Sequence, residues 1–361
     1  MQGKYLRLVD KVVGKFFYLA AYPLVKILPK SRSGGVLAIK LWALGDSIAT
    51  LPALKALKEK NPQEKLTVLC TKNNALVYEL SGIPDEVVVL DYRNPLSVAR
   101  VLARLLKGFS LCVDFEPYSY FSSFLCGMTR APLRTGFSNR GLLYTNHIAP
   151  EKIHIAANYM RLAGGGHYAL VPLRVTENAV REASSLLPPG KVIAIHPGSS
   201  SSSPRRKWST ENFAKLCDTL ATQHNASIII IGTKGDNTGA KTVVEEMHHS
   251  VVNLCGKTSL PVLASLLQKV SLLIANDSGP MHLAAAMKTP VLGLFGPNNP
   301  ELFGPLGGVS LYHGPGEPWI KPFEGKFPDS CPEEYDVNRI TVAEALEAAN
   351  GLLARGNTRP S

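Results

Sequence analysis

From Val36 onward, apolar runs of strand length alternate with helix-length stretches, and this alternation limits the fold more than any other feature. It predicts parallel α/β architecture, because a helix between two strands carries the chain back to start the next strand in the same direction. Two series are visible. The first has strands near Val36–Trp42, Leu66–Cys70, Val87–Leu90 and Leu111–Phe115, with helices near Ser47–Lys60, Asn74–Leu80 and Pro95–Leu106. The second has strands near Val192–His196, Ser227–Gly232, Leu272–Asn276 and Pro290–Phe295, with helices near Thr210–His224, Asp236–His248, Pro261–Lys269 and Pro280–Met287. Gly164-Gly165-Gly166 and Pro188-Pro189-Gly190 bracket a turn-rich stretch with one helix near Glu177–Leu187. The expected organisation is a basic extension over 1–33, a first α/β domain over 34–165, a hinge over 166–190 and a second α/β domain over 191–340. A C-terminal helix and tail follow over 341–361.

Open parallel sheets bind ligands beyond the carboxyl ends of their strands, so the loops there are where chemistry is sought. The first ends in Gly45-Asp46-Ser47, where Asp46 fits either a helix cap or a carboxylate facing the ligand as general base. The loop after His196 reads Pro-Gly-Ser-Ser-Ser-Ser-Ser-Pro-Arg-Arg-Lys-Trp; its glycine, hydroxyls and three successive cations, Arg205, Arg206 and Lys207, suit a diphosphate or a solvated surface loop. It lacks the GxxxxGK[ST] spacing of a P-loop. After Gly232, Asp236 is a candidate for gripping ribose hydroxyls and equally for capping the next helix. The last loop, Asn276-Asp277-Ser278-Gly279-Pro280-Met281-His282, opens a helix with small residues and a proline, which leaves free amides for an anion and puts His282 within reach of a phosphate.

Composition narrows the partners. The net charge is +11, but no RNP, zinc-finger or helix-turn-helix pattern accompanies it, which argues against nucleic acid. The excess is concentrated at the start: Lys4, Arg7, Lys11, Lys15, Lys26, Lys30 and Arg32 face Asp10 alone, interleaved with Phe16, Phe17, Tyr18, Leu19, Tyr22, Leu24 and Ile27. This mixture suits an anionic membrane surface or a helix packed on the first domain with solvated lysines; Pro23 is expected to kink or end any helix there. The six cysteines form no CxxC pair or zinc-finger cluster and read as reduced, buried thiols. No run reaches the roughly 18 to 20 apolar residues that span a bilayer. The expectation is a cytoplasmic protein, peripheral on the cytoplasmic face of the inner membrane.

Taken together, Gly45-Asp46 with Thr50-Leu51-Pro52-Ala53-Leu54, His196-Pro197-Gly198, Lys207-Trp208, Asn276 to His282 and Phe295-Gly296-Pro297 resemble glycosyltransferase family 9, the ADP-heptose:lipopolysaccharide heptosyltransferases. The resemblance runs from about Val36 to Leu353. It implies the GT-B architecture, two Rossmann-like domains with parallel sheets facing an interdomain cleft, the acceptor on the first domain and the nucleotide sugar on the second. It further implies inverting transfer of a heptose from ADP-heptose to a lipopolysaccharide core or similar envelope glycan, with no metal and no cofactor; no DxD motif is present. Carried onto this chain, Asp46 matches the general base, Lys207 the phosphate-binding cation, and Asp277, Ser278, Gly279 and His282 the nucleotide-sugar loop. Ser199 and Ser200 match a hydroxyl pair that is often threonine. For the acid that grips ribose, Lys234 and Asp236 compete. The extension before the first strand departs from the best-known core heptosyltransferases. The alternatives are another nucleotide sugar, a sugar-nucleotide epimerase, or a binding protein without catalysis.

Overall fold

The computed structural model describes residues 8–27, 29–31, 34–199, 204–317, 319, 321 and 331–356. They fall into two compact units, the first running to Val171 and the second beginning at Pro172.

The first unit holds strands β1 Val36–Ile39, β2 Leu66–Cys70, β3 Glu86–Val89, β4 Leu111–Asp114, β5 Leu133–Phe137 and β6 Asn146–Ile148. They form one parallel sheet in the order β3-β2-β1-β4-β5-β6. β1 and β2 are buried along their whole length, which is why they read as unbroken apolar runs. The second unit repeats the plan with β7 Lys191–His196, β8 Ala226–Ile230, β9 Val251–Asn253, β10 Leu272–Asn276, β11 Val291–Phe295 and β12 Val309–Tyr312. Its order is β12-β11-β10-β7-β8-β9, again all parallel.

Each sheet is therefore wound outward in both directions from its first strand, as in a Rossmann fold. In such a sheet the crevice for a ligand opens where the winding reverses, between β1 and β4 in the first unit and between β7 and β10 in the second. The expected strands are all present. Four more, β5, β6, β9 and β12, extend the sheets beyond them.

The basic N-terminal segment forms a π-helical turn, Asp10–Gly14, followed by a helix over Lys15–Ile27. The helix runs through Pro23 instead of ending there. The carbonyl four residues back belongs to Leu19, which is half exposed, so water can replace the hydrogen bond that proline cannot donate. Tyr18 and Ala21 are buried against Leu143 and the helix Tyr120–Met128, and the Tyr18 hydroxyl accepts from the Leu142 amide at 2.9 Å. Asp10 accepts from the Tyr120 and Phe121 amides at 3.0 and 2.9 Å and from Ser119 Oγ, satisfying the free first turn of that helix. Gly14 lets the backbones approach, since a Cβ there would lie 3.3 Å from the Phe121 nitrogen and 2.7 Å from Asp10 Oδ1. The opposite face stays bare: Leu8, Val12, Phe16, Leu19, Pro23 and Ile27, spaced by three or four residues, are all exposed.

Candidate functional site

In the second unit, β7 and β10 are neighbours with Ala275 opposite His196, so the loops after them leave side by side at the switch point. Ser278 Oγ donates to the Asn276 carbonyl at 2.8 Å, and His196 Nδ1 lies 2.9 Å from the same oxygen. Nε2 of the same ring faces Asp236 Oδ2 at 3.8 Å. Asp236 also accepts from the Thr233 amide and hydroxyl at 2.8 and 2.7 Å, forming a capping box over the short turn Lys234–Asp236. Burial pushes the Asp236 carboxyl up, but the neighbouring His196 ring and the bonds from Thr233 outweigh it and hold the group well below the usual carboxylate range. Gly198 is required by this arrangement: a Cβ there would stand 2.2 Å from Asp236 Oδ1.

Asn276 joins the two loops, accepting from the Trp208 amide at 3.1 Å and donating to the Pro197 carbonyl at 2.8 Å. Trp208 is itself buried, with Nε1 bonded to the Ile340 carbonyl, so the cationic segment before it is anchored. The three successive cations then divide. Arg205 pairs with Asp336 at 2.9 Å and Arg206 with Asp277 at 2.5 Å, whose Oδ2 also receives the Asn298 amide. Lys207 is exposed, and among the described residues no carboxylate lies within ion-pair distance of it. The helix Gly279–Ala286 starts beside these groups with Ser278 at its N-cap and no side chain capping it; Pro280 has no N–H and the Met281 amide bonds the Ser278 carbonyl at 3.2 Å, which leaves the Gly279 amide for an anion. His282 is half-buried in that first turn, and Ser199 is half-buried just after Gly198. Ser200 lies outside the described residues.

In the first unit the helix after β1 begins at Leu44, earlier than expected, with Ala43 as its N-cap at φ 65° and no side-chain cap bond. Asp46 is thus the third residue of the helix rather than the residue ahead of it. Ser47 holds the turn, its amide and hydroxyl both donating to the Ala43 carbonyl. Asp46 Oδ2 lies 3.6 Å from Lys40 Nζ, and its side chain is 33% exposed while that of Lys40 is 2% exposed. From the end of β4, Glu116 approaches Lys40 at 3.2 Å, and its Oε1 accepts the Leu41 and Trp42 amides at 2.7 and 3.0 Å. Burial pulls the Lys40 ammonium down, but Glu116 and Asp46 outweigh it and raise it above its ordinary value. Beneath them Asp114 is buried, accepting from the Glu116 amide and the Tyr144 hydroxyl. Burial pushes its carboxyl up to about 7 against those bonds.

The candidate residues therefore gather by unit: Asp46 at one switch point, and Ser199, Asp236, Asp277, Ser278, Gly279, His282 and Lys207 around the other. Sequence reasoning passed over Lys40, Glu116 and Asp114, and read Arg206 as one of three cations for a diphosphate rather than as the partner of Asp277. A lysine inside the apolar run Ala-Ile-Lys-Leu-Trp, and two acids just after the equally apolar Leu111–Val113, were the available signals, since buried charges persist only when paired. Among the described residues no group of three or more His, Cys, Asp or Glu is placed to hold a metal ion.

The family model described as glycosyltransferase family 9 (heptosyltransferase) matches residues 117–311. The lipopolysaccharide core heptosyltransferase OpsX of Haemophilus influenzae is 26% identical over 300 residues, covering 77% of this chain and 82% of that protein. Among solved structures, a family 9 glycosyl transferase from Veillonella parvula superposes with a TM-score of 0.78 at 21% identity, covering 90% of this chain and 100% of the other. E. coli ADP-heptose lps heptosyltransferase II superposes with a TM-score of 0.73 at 19% identity and the same coverages.

Proposed function

Because the chain belongs to glycosyltransferase family 9, the heptosyltransferases, we propose that it transfers a heptose from ADP-heptose to a lipopolysaccharide core, inverting the anomeric carbon without a metal. Asp46 takes the proton of the acceptor hydroxyl as its oxygen bonds to the anomeric carbon, and the bond from that carbon to the diphosphate oxygen breaks on the opposite face. The negative charge left on the ADP is met by Lys207, the Ser199 and Ser200 hydroxyls, the amides at Ser278 and Gly279, and His282. Asp277 and Asp236 serve the donor site by fixing these groups.

The observation that carries the reading is the state of the three cations. Arg205 and Arg206 are neutralised within the protein, which leaves Lys207 as the exposed cation of a loop tied to Asn276, just ahead of the helix Gly279–Ala286, through the Trp208 amide. Calorimetric titration with ADP, UDP, GDP and CMP sugars tests the donor: ADP is expected to bind best. A UDP preference would favour the second reading, a different nucleotide sugar. One observation speaks for that alternative: Asp236, a candidate acid for ribose, is already engaged by Thr233 and His196. For the transfer itself, Asp46→Ala is expected to lose several orders of magnitude in turnover while still binding donor, and near-normal turnover would remove Asp46 from the base role.

The proposal extends to location, peripheral on the cytoplasmic face of the inner membrane. No helix among the described residues is long and apolar enough to cross a membrane. The exposed row from Leu8 to Ile27, flanked by Lys11, Lys15 and Lys26, supports docking on an anionic lipid surface, where the acceptor lipid resides.

A further inference from the structure

Lys40 is the least expected charge in the molecule. Its ammonium is buried at the end of a wholly apolar strand, 3.2 Å from Glu116, 3.6 Å from Asp46 and 5.7 Å above the Tyr159 ring. Glu116 in turn is fixed by the Leu41 and Trp42 amides, the peptide groups that immediately follow Lys40. The pair therefore belongs to the segment that ends in Asp46 and cannot shift without moving it. A buried ion pair contributes little net stability against an apolar pair of the same volume, so stability alone is a weak reason for this one.

We propose that Lys40 and Glu116 are positioning residues for Asp46: Lys40 holds one carboxylate oxygen, and Glu116 fixes Lys40 and moderates its charge. This rests on the reading of Asp46 as general base. With Oδ2 committed to Lys40, Oδ1 is the oxygen left to receive the acceptor's proton. Glu116 sets a limit: a lone buried cation at this distance would make Asp46 too weak a base, and a second carboxylate on the same ammonium offsets part of that pull. The other titratable groups near the cluster are Asp114 below Glu116, Tyr78 from the helix Ala75–Ser81 and Tyr159 from the helix Ile155–Leu162. Burial pushes both phenols up, so they stay neutral across the working range.

The test is the pH profile of kcat/KM, followed as ADP release from ADP-heptose with a lipopolysaccharide acceptor. Lys40→Met is expected to move the acid limb upward by about one unit or more, the usual effect of losing an opposite charge at such a distance. Glu116→Gln keeps an oxygen for the two amides and removes only the charge, and it is expected to move the limb downward. Lys40→Arg should retain the wild-type limb. KM for the donor should change less than kcat in each variant, because the donor's proposed contacts lie elsewhere. A merely structural ion pair predicts no opposed shifts: limbs that stay in place, or move in one direction in both variants, overturn the proposal. Asp46→Asn separates the two layers. If it abolishes turnover while the Lys40 and Glu116 limbs stay fixed, the base reading stands and this inference falls; if it keeps wild-type turnover, the base reading itself has failed.

Discussion

Arg206 Nη2 lies 2.5 Å from Asp277 Oδ2 and 3.2 Å from the Asp277 carbonyl oxygen, so one guanidinium holds both the side chain and the backbone of the loop that opens the helix Gly279–Ala286. Both side chains are nearly buried, at 11% and 8% exposed. An acid beside a proposed diphosphate site would repel its ligand if left uncompensated. Here Arg206 neutralises it in advance and the Asn298 amide adds a hydrogen bond to the same oxygen, two residues before the helix begins.

This pairing separates two neighbouring cations that look alike in sequence. Arg206→Ala leaves Asp277 buried with only the Asn298 amide, and removing one partner of a buried pair costs about 3–5 kcal/mol. A large fall in Tm is expected, with donor binding lost alongside it. Lys207→Ala, at an exposed position, is expected to change stability by no more than about 0.5 kcal/mol. Its turnover should nevertheless drop by about 10²–10³, the cost of removing one preorganised donor to developing charge. Thermal melts and steady-state rates on the two variants check this, and a stable, slow Arg206→Ala would reverse the assignment.

Gly198 and Asp236 are coupled by space. Gly198→Ala places a methyl group against Asp236 Oδ1, an overpacking expected to cost about 1–3 kcal/mol. Asp236→Ala alone removes the capping box on the Thr233 turn, expected to cost about 0.5–2 kcal/mol. In the double variant the clash disappears, so the combined loss in urea melts should fall short of the sum by about 0.5 kcal/mol or more. Strict additivity would mean that the loop moves away freely.

The central strands and most helices were legible in the sequence because each signal was local. Leu66–Cys70 and Leu272–Asn276 are buried on both faces and read as continuous apolar runs, while Thr210–His224 has a serine cap and a helical stripe. β5 was hidden by its own composition, Leu-Arg-Thr-Gly-Phe. Arg134 is buried there because its guanidinium finds the Ala131 carbonyl three residues back and the Leu143 carbonyl beyond the next turn, pairings that the composition does not announce. β6 and β9 are three residues each, too short for a period to emerge. At the site, the DSGPMH loop and the His196-Pro197-Gly198 strand end announced themselves through small residues. The stance of Asp46 did not, because the helix starts at Leu44 behind an alanine at positive φ, a conformation that alanine does not advertise. Lys40, Glu116 and Asp277's partner Arg206 were hidden for a further reason: each is explained by a contact distant in sequence.

Asp114 gives the first unit a pH dependence with a definite sign. Its carboxyl is pushed from 3.8 to about 7 in the folded protein, so between those values the native state holds a proton that the unfolded chain releases. The native state thus binds more protons there, and stability falls as pH rises through the window. Asn at this position can still accept from the Glu116 amide and can donate to the Tyr144 hydroxyl. Relative to Asp114→Asn, the wild-type Tm should therefore decline from about pH 4 to about pH 7 and level off above, the pattern expected when a group's folded pKa is raised. A difference curve that is flat, or that rises with pH, would contradict the protonated state.

The N-terminal helix has two faces with separable tasks. Asp10 caps the helix Tyr120–Met128, so Asp10→Ala should cost about 0.5–2 kcal/mol and lower the Tm. Phe16 and Leu19 are 67% and 50% exposed, and replacing both with serine removes little packing. That double variant should hold its stability within about 0.5 kcal/mol. Its co-sedimentation with vesicles containing anionic phospholipid should fall steeply, since the apolar row supplies the insertion and the lysines supply only a salt-sensitive attraction. Binding that survives the double substitution but vanishes at high salt would assign the contact to the lysines alone. Vesicle binding unchanged under both conditions would leave the exposed row without a membrane role.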